Sequence, residues 1–182
     1  RGFPSRVNDV GHDAEEIVAA WPLMVLADYG NPRYVEMTME TMSLIDFFTA
    51  RTALGHRHFK TWYLGASEIK TQGDYGVDNL ANAQFALLGH VLGWYNRCPK
   101  LVDFYREWCD AWMADFERAK AMNVKTPISI RMPEDVPVPH VNAMSSHTMQ
   151  HHFYVTGLLT GDPKYTALAL SNTPEGRAAY EQ

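Results

Sequence analysis

The feature that most constrains this chain is a proline turn that occurs three times at nearly even spacing. The prolines are Pro32, Pro99 and Pro163, so the intervals are 67 and 64 residues. Around them stand Gly30 and Asn31, then Asn96 and Cys98, then Gly161 and Asp162. Each turn is a stop followed by a start. Gly or Asn ends one helix in the left-handed conformation; Asn31 or Asp162 caps the next, whose first turn accepts the proline. Cys98 is a weaker cap. A fixed period of this length indicates repeated supersecondary units.

The helices on either side of a turn differ in character. Segment 79–96 is apolar nearly all round, with Leu80, Phe85, Leu88, Leu92 and Trp94 among Ala81, Ala83, Ala86, Gly89 and Gly93. Such a helix is buried on most sides. Segment 100–121 is amphipathic. Leu101, Phe104, Tyr105, Trp108, Trp112 and Phe116 form one stripe, with Asp103, Arg106, Glu107, Asp110, Glu117 and Arg118 largely off it. The periodicity therefore predicts helices near 13–29, 33–53, 79–96, 100–121 and 143–160, with long loops at 54–78 and 123–141. The expected fold is all-α: helical hairpins at about 12–53, 79–121 and 143–182, forming part of an α/α-toroid within one domain or half-domain spanning 1–182.

Composition narrows the function. The net charge is −5 and no basic stripe appears, which argues against nucleic acid. No segment has the length and apolarity of a membrane span. Cys98 and Cys109 sit on one expected helix, roughly 16 Å apart, too far for a disulfide. The chain opens on Arg1 rather than Met, so a longer parent chain is expected.

Long loops in a helical scaffold usually carry function. Both meet the edge where the buried helices begin. That edge collects His12 and Glu16, then Arg57, Trp62, Tyr75 and Asn79, then Asn142, His147 and His151. Duller readings exist: Asp13, Asp78 and Asn142 suit helix N-termini, and Trp62 and Tyr63 suit loop anchors. His147 and His151 are four apart on one helix face. Thr148 stands where the zinc-protease pattern needs Glu, so proton transfer is favoured over a metal there, and neither metal nor cofactor is expected.

The segment from His147 through Gly161, Asp162, Pro163 and Lys164 to Tyr165 resembles the buried helix and turn of six-hairpin α/α-toroid proteins. That superfamily includes polysaccharide lyases and glycoside hydrolases. The opening at Gly11, His12, Asp13 and Glu16 is similar to a buried-helix start in the same group. The resemblance implies a carbohydrate-active protein acting on a poly- or oligosaccharide. A full toroid has about six hairpins and this chain supplies about three, so self-association or a longer parent chain is expected. Location stays open; a polysaccharide-degrading enzyme would be periplasmic or secreted.

Two chemistries follow. β-Elimination on a uronate needs carboxylate neutralisation, a base and an acid. Asn79 and Arg57 suit the first role, His147 or His151 the second and Tyr75 the third, with Trp62, His12, Glu16 and Asn142 holding substrate. Hydrolysis needs two carboxylates, drawn from Asp13, Glu16, Asp74 and Asp78. The His, Tyr and Asn supply favours the lyase. The remaining alternative is a non-catalytic module that stacks sugar on Trp62, Tyr63 and Tyr75.

Overall fold

The structure, a computed structural model, describes residues 3–10, 21–141 and 147–171, with backbone alone at 147–148. Helix dominates, but three small antiparallel sheets are present, so the fold is a mixture of helix and strand. The all-α toroid of repeated hairpins expected from the sequence is overturned by these sheets. Most of the strands fall in the connections expected to be loops.

Around the first turn the local signals act as expected. Residues 21–27 are helical, and Gly30 has φ +86°. Helix α1 (Pro32–Met42) starts at Pro32, with the Asn31 side chain accepting from the Arg33 amide at 3.0 Å. The expected helix over 33–53 breaks early. After the short α2 (Ile45–Phe48), Thr49 turns extended and begins strand β2 (Thr49–Arg51). The β-branched threonines and Gly55, at φ +84°, favour a hairpin here. Strand β3 (Arg57–Phe59) returns beside β2, pairing Thr49 with Phe59 and Arg51 with Arg57. Short β1 (Asn8–Asp9) and β4 (Tyr63–Leu64) form the second sheet.

The third sheet joins the two long connections. After a 3₁₀ turn at Gly73–Tyr75, β5 (Val77–Asp78) pairs with β6 (Ile128–Arg131), which pairs with β7 (Val136–Pro139). Edge strand β7 tolerates Pro137 and Pro139, since an edge needs fewer amide donors.

Helix α3 (Asn82–Asn96) is apolar nearly all round, and α4 (Pro99–Ala121) buries its aromatic stripe. Arg97, not Asn96, supplies the left-handed residue between them, at φ 52°. Gly89 is required because the Tyr105 hydroxyl, donating to the Ala86 carbonyl, occupies the space of a β-carbon. Helix α5 (His147–Thr160) packs on α3, α4 and α6 (Pro163–Leu170). Asp162 caps α6 through the Lys164 amide at 3.0 Å, whereas Cys98 makes no side-chain cap for α4.

The core lies where hairpin β2–β3 meets α3 and α4. Phe59 touches Phe85, Phe104 and Trp108 edge-on at 6.0, 6.1 and 5.7 Å between centroids. Each such pair adds about 0.5–1.5 kcal/mol beyond burial.

Candidate functional site

The core contains an unusual concentration of buried charge. His58, Asp78, Asp115 and Asp135 are all fully buried. They come from four places in the chain. Strand alternation turns His58 inward and sends Arg57 to the opposite face. Asp78 ends β5, just before α3. Asp115 lies on the buried stripe of α4, three residues after Trp112 and seven after Trp108. Asp135 occupies the β6–β7 turn at φ 63°, a conformation Asp tolerates better than most residues.

His58 stands between two carboxylates. Its Nδ1 is 2.8 Å from Asp78 Oδ2, and its Nε2 is 2.9 Å from Asp115 Oδ2. Burial pushes the imidazole pKa down, but the two carboxylates outweigh it and hold it at about 9. Asp78 also accepts from Trp108 Nε1 at 2.9 Å and from Asn82 Nδ2 at 2.8 Å. His56, next to the hairpin turn, brings its Nδ1 to 3.0 Å from Asp135 Oδ2 and 3.8 Å from Asp115 Oδ1. Arg118 bonds the Oδ1 atoms of both Asp115 and Asp135, and Thr52 donates to Asp135 Oδ2. Burial pushes the Asp135 pKa up, and the Thr52 and Arg118 hydrogen bonds pull it below the ordinary value. His56, His58, Asp115 and Asp135 are the group among the described residues whose donor atoms converge closely enough for a metal ion.

A second feature is an aromatic ledge of half-buried Trp62, Tyr63 and Tyr75. The ring centroids of Tyr63 and Tyr75 lie 4.7 Å apart, and those of Trp62 and Tyr75 lie 6.0 Å apart. Trp62 Nε1 donates to the Asp74 carbonyl at 3.2 Å, which fixes the ring against the 3₁₀ turn. The Lys70 ammonium stands 3.9 Å from the Tyr75 centroid and 5.6 Å from that of Tyr63. The Lys70 backbone is held by its amide on the Tyr63 carbonyl and by Thr61 donating to its own carbonyl.

The residues expected from the sequence are placed as follows. Trp62 and Tyr75 come together on the ledge. Asn79 is fully buried, its Nδ2 donating to the Val141 carbonyl and its Oδ1 accepting from the Ala81 amide. Arg57 pairs with Asp46 at 2.7 Å and Glu107 at 3.3 Å, so its charge is already balanced. His151 is exposed on α5, its ring centroid 5.2 Å from that of His90. His90 in turn is 2.9 Å from His152, whose Nε2 donates to the Ala83 carbonyl. His147 opens α5, but its side chain lies outside the described residues, as do His12, Glu16 and Asn142. Of the hydrolase candidates, Asp78 is committed to His58, Trp108 and Asn82, and Asp13 lies outside the described residues.

Sequence reasoning passed over His56 with His58, Asp115 and Asp135 as a set. Two signals for it existed. The His-x-His spacing puts both rings on one face if the segment is a strand, and Asp115 interrupts an otherwise apolar stripe. No protein-family model matches the chain, and no curated protein or solved structure matches it either.

Proposed function

We propose that this chain binds an acidic saccharide on the Trp62–Tyr63–Tyr75 ledge and cleaves it by β-elimination, as a polysaccharide lyase. The observation that carries the proposal is the Lys70 ammonium held 3.9 Å over the Tyr75 ring, beside Trp62 and Tyr63. Aromatic faces take the apolar face of a sugar ring, and an ammonium pairs with a uronate carboxylate. Lys70 takes the neutralising role expected for Asn79 and Arg57, both of which are engaged elsewhere.

The chemistry balances on the ledge. The Tyr75 oxygen, as phenolate, takes the proton from C5 of the uronate while the C4–O bond breaks and a C4=C5 double bond forms. The same oxygen then returns the proton to the leaving oxygen. One group serves as base and acid when both lie on one side of the ring.

The test incubates the full chain with uronate oligosaccharides and follows ultraviolet absorbance of the unsaturated product, with calorimetry for binding. A new absorbance that disappears in Tyr75→Phe supports the lyase. Binding without new absorbance leaves a sugar-binding module, and reducing ends without absorbance indicate hydrolysis. No binding at all overturns the ledge itself.

A further inference from the structure

We infer that His56, His58, Asp115 and Asp135 form a closed, four-coordinate site for a divalent transition metal, with zinc the best match. The site would tie hairpin β2–β3, helix α4 and the β6–β7 turn together. It depends on nothing in the saccharide reading.

The first argument is distance. The four donor atoms all lie within 4.8 Å of one another. Zinc bonds of 2.0–2.1 Å require tetrahedral edges of about 3.3–3.4 Å. The two nitrogen–oxygen separations, 2.9 Å from His58 Nε2 to Asp115 Oδ2 and 3.0 Å from His56 Nδ1 to Asp135 Oδ2, fall a few tenths of an ångström short of that edge.

The second argument is orientation. His58 Nε2 and Asp115 Oδ2 belong to fully buried side chains and lie 2.9 Å apart, yet they do not meet hydrogen-bond geometry. His56 Nδ1 is in the same position beside Asp135. Buried polar atoms left this way are costly. Lone pairs directed at a common point, rather than at each other, account for close approach without donor–acceptor alignment.

The third argument is the surrounding shell. A metal-bound histidine usually donates its other ring N–H to a carboxylate, which fixes the tautomer. His58 does this through Nδ1 to Asp78 at 2.8 Å, and Asp78 is itself fixed by Trp108 and Asn82. Each ligand carboxylate has its other oxygen on Arg118, and Thr52 donates to Asp135.

Charge and donor type identify the ion. Among the buried carboxylates of Asp78, Asp115 and Asp135, the Arg118 guanidinium paired with Asp115 and Asp135 offsets one negative charge and leaves two. A dication with neutral imidazoles cancels them. Two nitrogens and two oxygens suit zinc better than calcium or magnesium, which prefer oxygen alone. Four protein ligands leave no open position, so the role is structural.

The experiment uses the full chain produced in zinc-supplemented medium. Metal content is measured by elemental analysis. The chelated protein is then titrated with zinc, and with cobalt(II), whose visible bands are intense in a tetrahedral site. We expect about one zinc per chain, a tetrahedral cobalt spectrum, and a melting temperature lowered by chelator and restored by zinc. His56 is the most exposed ligand, with 27% of its side chain accessible, so His56→Ala should fold. That variant should bind zinc about 100-fold more weakly or worse. Background metal content with a silent titration would overturn the site. Wild-type zinc affinity in both His56→Ala and Asp135→Asn would overturn it too, by placing the metal elsewhere.

Discussion

His58 Nδ1 lies 2.8 Å from Asp78 Oδ2, between side chains that are both fully buried and come from different strands. Asp78 is therefore a positioning residue for the proposed metal centre. Asp78→Asn should lower zinc affinity by about 10–100-fold without removing a ligand. In the chelated chain it should also cost on the order of 3–5 kcal/mol, because it breaks a buried ion pair. Denaturant unfolding with and without zinc measures both effects. Stability and affinity within error of wild type would show that Asp78 positions nothing.

Helix α5 predicts a pH dependence of its own. Burial pushes the His152 pKa down from 6.5 to about 3, against the Ala83 carbonyl that accepts from Nε2. Burial likewise lowers His90 well below its ordinary value. Both rings are neutral in the fold, and the unfolded chain binds more protons below pH 6.5. The His152 contribution is thus fully present above about pH 6.5 and is lost as pH falls toward 3, and His90 acts in the same direction. Urea midpoints should fall over that window. His152→Gln should be less stable at pH 7 but show a shallower slope; an unchanged slope would assign the acid sensitivity to other groups.

On the ledge, charge and stacking separate experimentally. Lys70→Ala should weaken an acidic oligosaccharide by about tenfold while sparing its neutral counterpart, since it removes one charge-assisted contact. Tyr75→Phe keeps the ring, so binding should persist while turnover drops by about 10²–10⁴-fold. Equal losses for acidic and neutral sugars in Lys70→Ala would remove the carboxylate from the proposal.

Gly89 tests the α3–α4 contact. A β-carbon there would overlap the Tyr105 hydroxyl and lie 2.9 Å from Met42 Cε. Gly89→Ala should destabilise by about 1–3 kcal/mol despite its better helix propensity. Adding Tyr105→Phe should recover part of that loss, because the overlapping atom is gone. A double variant no better than the sum of its parts would place the strain elsewhere.

Local signals carried much of the helical layout. Asn31 and Asp162 cap where their side chains can reach the next turn, and Pro32, Pro99 and Pro163 each begin a helix. The uniform apolarity of 79–96 and the stripe of 100–121 correctly separate α3 from α4. These are short-range properties, legible within one or two turns of chain. The toroid drawn from their spacing was not legible, because evenly spaced turns do not say what the connections between hairpins become.

Only the tertiary structure decided the sheets and the buried cluster. Strands such as β3 and β5 have three and two residues, too short for alternation to announce them; they exist because β2 and β6 offer partners. Pairing β5 with β6 sets Asp78 opposite Ile130, 52 positions further along the chain. The sequence by itself determined that helices start at Pro32, Pro99 and Pro163 and which of their faces are apolar, since capping and periodicity are local. It did not determine that His56, His58, Asp115 and Asp135 meet: buried charge is tolerated only where distant partners arrive together, and that depends on packing across the whole fold.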